Sequence, residues 1–125
     1  MSFAGQTIWI TGASSGIGAA LARAFVQQGA RLVLSGRNEA ALADVAATCG
    51  ETLVLPFETT DYAALPALAD TAWDWRGGID VLINNAGISQ RALAVDSAFG
   101  VYQRIVDVDL LAPIALTQAI LPRMV

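Results

Sequence analysis

The junction between Thr7-Ile8-Trp9-Ile10 and the run Ala19 to Gln28 most constrains this chain. It reads Thr11-Gly12-Ala13-Ser14-Ser15-Gly16-Ile17-Gly18. An apolar run enters it and a helix-type run leaves it, the context that a phosphate-binding turn requires. Gly12 lacks a Cβ, so the chain can turn sharply off a strand. Gly16 lets backbone approach a bound pyrophosphate, and Gly18 lets the new helix pack tightly on the sheet. The helix start offers unpaired N–H groups and roughly half a positive charge to an anion. Ser14 and Ser15 add hydroxyl donors beside it, and Ile17 stands between the last two glycines. The plainer alternative is a tight strand-to-helix turn with nothing bound.

The rest of the chain alternates in the same way. Strands are expected at Thr7–Thr11, Arg31–Ser35, Thr52–Leu55 and Asp80–Asn84. The unbroken run Leu32-Val33-Leu34 suits a strand buried on both faces. Helices are expected from about Ser15 to Gln28, stopped by Gly29, and from the N-cap Asn38 to near Gly50. A third lies within Asp61–Trp75, where Pro66 makes the first turn irregular or delays the start to Leu65. A loop from Gly87 to about Asp96 leads to one long helix, Ser97–Val125, containing Gly100 and Pro113. This alternation predicts an α/β fold, a three-layer doubly wound parallel sheet in the order 3-2-1-4. It holds about four strands, all in one domain, residues 1–125. Ligand then sits off the carboxyl ends of strands one and four.

Composition bounds the partners. Of 125 residues only 14% are charged and 55% are hydrophobic, with a mean hydropathy of +0.55. That is apolar for a small domain, which needs a generous polar coat. The stretch therefore belongs to a larger domain, or partners cover much of it. The net charge of −4 speaks against nucleic acid, whose binding is driven by phosphate neutralisation. No uninterrupted apolar run reaches the ~18 residues of a membrane span. Val106–Val125, the longest candidate, is broken by Asp107, Asp109, Pro113 and Gln118. The start of the chain has no signal-peptide pattern, so a cytoplasmic protein is expected. With no His and only Cys49, no metal site is expected, and Cys49 reads as a small packing residue. Trp73 and Trp75 read as packing residues, and Arg91 as a surface loop residue.

The glycine spacing, Thr-Gly-x-x-x-Gly-x-Gly, resembles that of the short-chain dehydrogenase/reductase family. A second signature, Asn84-Asn85-Ala86-Gly87, follows the apolar run Ile79 to Ile83. The resemblance runs from Gly5 to Met124. It implies a nicotinamide dinucleotide coenzyme, a small alcohol or carbonyl substrate and hydride transfer between them. It also implies that Asn85, Ala86 and Gly87 line the adenine-ribose side of the cleft, tying strand four to strand one with Thr11. Glu58 falls where the family has an Asp that meets the adenine amino group, although it would also serve as a turn residue. Asp109, in Val106-Asp107-Val108-Asp109-Leu110, falls where the family has a catalytic Asn; a solvated helix residue is the alternative. The long helix would carry the family's dimerisation face, so a homo-oligomer is expected.

Arg37 bears on coenzyme choice. A site for NAD usually places Asp or Glu after strand two to hold the ribose 2′-hydroxyl. Here the residues are Ser35-Gly36-Arg37, and no carboxylate comes before Glu39. An Arg can fork onto a 2′-phosphate, so NADP is expected over NAD. The family's chemistry also needs a Tyr four residues before a Lys. Tyr62 is followed at that spacing by Pro66 and Tyr102 by Val106, and all seven basic residues are Arg. The chain therefore reads as the coenzyme-binding half of such an enzyme, without turnover of its own. The alternatives are a non-catalytic nucleotide-binding or interaction module and, third, a related fold for another adenine ligand.

Overall fold

A computed structural model describes residues 2–88 and 94–125. Arg91 lies outside them. Four parallel strands form one sheet in the order β3-β2-β1-β4, as the alternation predicts. They are β1 (Thr7–Ile10), β2 (Arg31–Leu34), β3 (Thr52–Val54) and β4 (Val81–Ile83). The inner pair runs in register from Thr7 against Arg31 to Ile10 against Leu34. Every residue of β1 is buried, and so are Leu32, Val33 and Leu34 of β2.

The two-residue period of a strand sorts these side chains into two cores. Ile8, Ile10, Leu32 and Leu34 face α1 (Gly16–Gln27) and α2 (Glu39–Ala46), packing on Ala19, Ala22, Leu42 and Val45. Half-buried Cys49 joins that core as a packing residue. Trp9 and Val33 face the opposite way. They meet Leu65, Ala69 and Ala72 of α3 (Leu65–Arg76), and Leu116 and Ile120 of the last helix. Trp73 and Trp75 pack at the edge of this second core. Apolar side chains on both faces explain why the inner strands read as continuous hydrophobic runs.

Local signals set most boundaries. The Asn38 side chain accepts a hydrogen bond from the Ala41 N–H and caps α2. Pro66 sits in the first turn of α3, where its missing N–H costs nothing; a single 3₁₀ turn, Tyr62–Ala64, precedes it. The expected irregular turn and the expected start at Leu65 are therefore both present.

The final helix departs from expectation. It begins at Phe99 and has three parts: α4 (Phe99–Val106), a π-helical turn (Asp107–Leu111) and α5 (Ala112–Met124). Pro113 accounts for the wider turn. It has no N–H for the Asp109 carbonyl, and its ring crowds that carbonyl in an α-helix. The Ala112 N–H bonds instead to the Asp107 carbonyl, five residues back. Counting unbroken apolar runs also underrates this helix. By length and composition alone, Phe99–Met124 could cross a membrane, with a mean hydropathy of 1.6 over its best window. Here it lies along α3, burying Val108, Ala112, Leu116 and Ile120.

Candidate functional site

The carboxyl ends of β1 and β4 lie side by side where the strand order reverses, the place where open α/β sheets hold ligands. A cleft of about 380 Å³ opens there, within the range of cofactor sites. Gly12, Ser14, Ser15, Ile17, Arg37, Glu58, Asn85, Ala86 and Gly87 line it. Gly16, Gly18 and Asp109 are not on its wall.

Two glycines hold the turn together. Gly12 has φ +62°, and a Cβ there would come 2.8 Å from Ala86 Cα. Gly18 is more tightly placed: its Cβ would stand 2.1 Å from the Gly12 carbonyl oxygen and 2.6 Å from the Asn85 side-chain amide. Its closest neighbours are thus the turn itself and the second signature, not the sheet. A Cβ on Gly16 would meet nothing within 4 Å, so that side of the turn is open. The Ser15 side chain does not cap α1, and no acidic residue occupies the first turn. The first N–H groups of the helix are left for an anion.

Thr11 joins the two signatures. Its buried hydroxyl oxygen accepts the N–H groups of Asn85 and Ala86, each at 3.0 Å. The Asn85 side-chain amide donates to the Gly12 carbonyl at 3.1 Å. Asn84 reaches the other way, donating to the Thr117 hydroxyl on α5 at 3.2 Å. The first glycine turn and the Asn-Asn-Ala-Gly turn thus form one rigid block.

Asp109 is exposed, as a helix residue often is, yet it has a partner. Its Oδ1 accepts the Ile88 N–H at 2.8 Å. A Cβ on Gly87 would come 3.3 Å from the same oxygen. The π turn places this carboxylate against the loop that leaves β4.

The far wall carries a charge cluster. Glu58 Oε2 lies 3.6 Å from Arg37 Nη1, and Oε1 lies 3.4 Å from Arg104 Nη2. Thr60 donates to Glu58 Oε1 at 3.1 Å and accepts from Arg104 Nη1 at 3.2 Å. The Arg37 side chain keeps 66% of its surface exposed. Such exposed pairs each contribute on the order of 0–1 kcal/mol, so the cluster is easily rearranged. Sequence reasoning missed Arg104, which also lines the cleft. It reads as one more charge on a helix face, and its contact with Glu58 spans 46 positions. Nearby, the Tyr62 hydroxyl donates to Asp107 Oδ1, and this bond raises the phenol above its ordinary pKa.

Sheet order, glycine turn and the cleft at the switch point define a doubly wound α/β protein. The family model for short chain dehydrogenases matches residues 6–125. The chain belongs to the short-chain dehydrogenase/reductase family. It is 38% identical to human dehydrogenase/reductase SDR family member 7, over 96% of this chain and 38% of that protein. It is also 38% identical to the ketoacyl reductase HetN of a Nostoc strain, over 96% of this chain and 43% of that one. Among solved structures, L-sorbose reductase from Gluconobacter frateurii, complexed with NADPH and L-sorbose, superposes with a TM-score of 0.92. Identity is 28%, over 99% of this chain and 49% of that one. A short-chain dehydrogenase/reductase from Mycobacterium marinum gives 0.88 at 30% identity, over 95% of this chain and 50% of that chain. The chain thus spans about half the length of the solved relatives, and less of the curated ones.

Proposed function

We propose that this chain is the coenzyme-binding part of an NADP-dependent short-chain dehydrogenase/reductase. Such an enzyme transfers hydride between nicotinamide and a small alcohol or carbonyl compound. The observation that carries NADP over NAD is Arg37 at the end of β2. It faces the cleft and no carboxylate occupies the neighbouring positions Ser35 and Gly36. The NADPH-bound sorbose reductase supports the same choice.

In this reading the first N–H groups of α1 hold the diphosphate, with Ser14 and Ser15 beside them. The open side of Gly16 gives the phosphates room. Arg37 forks onto the 2′-phosphate. Asn85, Ala86 and Gly87 present backbone to the adenosine side, and Glu58 stands near the adenine. When bound, the coenzyme supplies the hydride chemistry; the chain's own residues bind and orient it. Asp109 positions the loop after β4 through Ile88, at the place of the family's catalytic Asn. The chain has no lysine, hence no Tyr-Lys pair, and we expect no turnover from these residues alone. Asp109 in place of the family's Asn permits the second reading, a non-catalytic nucleotide-binding module.

Calorimetry tests the assignment. NADP(H) binds more tightly than NAD(H), and Arg37→Ala erases most of the difference. An unchanged ratio in the variant refutes the role given to Arg37. Measurable NADPH oxidation by the chain with a carbonyl substrate overturns both the expected lack of turnover and the module reading.

A further inference from the structure

We propose that Glu58 and Arg104 set how strongly this cleft favours a 2′-phosphorylated nucleotide, Glu58 by competing for Arg37 and Arg104 by absorbing that carboxylate. The inference rests on the reading of Arg37 as the 2′-phosphate residue.

The three side chains come from three separate elements. Arg37 follows β2, Glu58 lies beyond β3, and Arg104 projects from α4. The Glu58 carboxylate is shared, with Oε2 toward Arg37 at 3.6 Å and Oε1 toward Arg104 at 3.4 Å. Thr60 supports the Arg104 side alone, touching both Glu58 Oε1 and Arg104 Nη1. Arg104 and Thr60 therefore keep Glu58 when Arg37 leaves it. Arg37 also lines a second, shallower recess, with Ser14, Asn38 and Glu39. Its exposed guanidinium thus stands between an acid on one wall and a polar recess at the end of β2.

Charge decides the outcome. Two guanidiniums and one carboxylate leave this wall with one net positive charge for an incoming phosphate. Without Arg104, Glu58 would neutralise Arg37 and offer a phosphate dianion nothing. Glu39 at the recess adds a negative charge of its own, so the balance is narrow. Arg104 is then a positioning residue: it acts on the phosphate through Glu58.

The test is calorimetry on the full chain with two probes that differ by one group, adenosine 2′,5′-bisphosphate and 5′-AMP. The readout is the ratio of their affinities. The wild type favours the bisphosphate. Arg104→Gln lowers that ratio roughly two- to fivefold, the effect of one exposed neighbouring charge, while measurable 5′-AMP binding is retained. The retained 5′-AMP affinity shows that the cleft is folded. Glu58→Gln raises the ratio by a similar factor, and Arg104→Lys, which keeps the charge, holds it near wild type. In the Glu58→Gln background, Arg104→Gln has little further effect. An equal drop in both backgrounds overturns the indirect role. A bisphosphate preference that neither substitution moves overturns this proposal and leaves Arg37 standing. Equal wild-type affinity for the two probes removes the Arg37 reading and this proposal together.

Discussion

A Cβ on Gly18 would stand 2.1 Å from the carbonyl oxygen of Gly12. The helix start and the strand end press together through backbone alone, so the two glycines behave as one structural unit. The motif's spacing is thus a packing requirement before it is a binding one.

Gly18→Ala is expected to destabilise the protein by at least ~2 kcal/mol, because backbone and not a flexible side chain must give way. Gly16→Ala is the informative contrast. Gly16 has φ +57° and open space around it, so alanine costs only about 1–2 kcal/mol of backbone strain. Its methyl group fills the open side of the turn, and nucleotide affinity falls more than stability does. Paired melting curves and titrations separate the two; equal losses of stability in both variants would contradict the packing account.

Thr11→Val keeps the shape and removes the acceptor for two N–H groups. Leaving them unpaired costs about 1–3 kcal/mol. Thr11→Ser retains the oxygen and loses far less. Chemical denaturation of the two variants checks the difference, and a valine variant as stable as the serine one counts against it.

Asp109 uses one oxygen to hold the Ile88 N–H, and an amide offers the same acceptor. Asp109→Asn should therefore leave stability within about 0.5 kcal/mol. Asp109→Ala should cost about 0.5–1.5 kcal/mol. Hydrogen exchange at the Ile88 amide reads the bond directly: slow in the wild type and the asparagine variant, fast with alanine.

Tyr62 donates to Asp107, and its pKa is raised above the ordinary value of 10.0, first by that bond. A raised folded value means that the bond's stabilising effect is complete below about pH 10. It is lost as pH climbs through the raised value, where a phenolate would face the carboxylate. In a Tyr102→Phe background, the ultraviolet titration of Tyr62 should shift downward on Asp107→Asn. No shift would remove the coupling.

The sheet was the most legible part of the sequence, because strands apolar on both faces leave little else for Leu32-Val33-Leu34 to be. Asn38 and Pro66 work within a few residues of themselves, so their roles are local and readable. Most of the residues singled out in the sequence also line the cleft, because the turns that carry them end neighbouring strands. Arg104 was not readable, since its partner Glu58 lies 46 positions away in the chain and is brought near only by the fold. The π turn escaped notice because Pro113 announces an irregularity without saying how it is resolved. The role of Asp109 depends on that resolution.

The indole N–H of Trp9 donates to the Ser35 hydroxyl at 2.8 Å inside the protein. Ser35 is the last residue before Gly36 and Arg37. The floor beneath Arg37 is therefore riveted to the innermost strand, while the rim above it consists of pliable, solvent-facing side chains. The charge at this spot can therefore drift by rim substitutions that leave the foundations untouched.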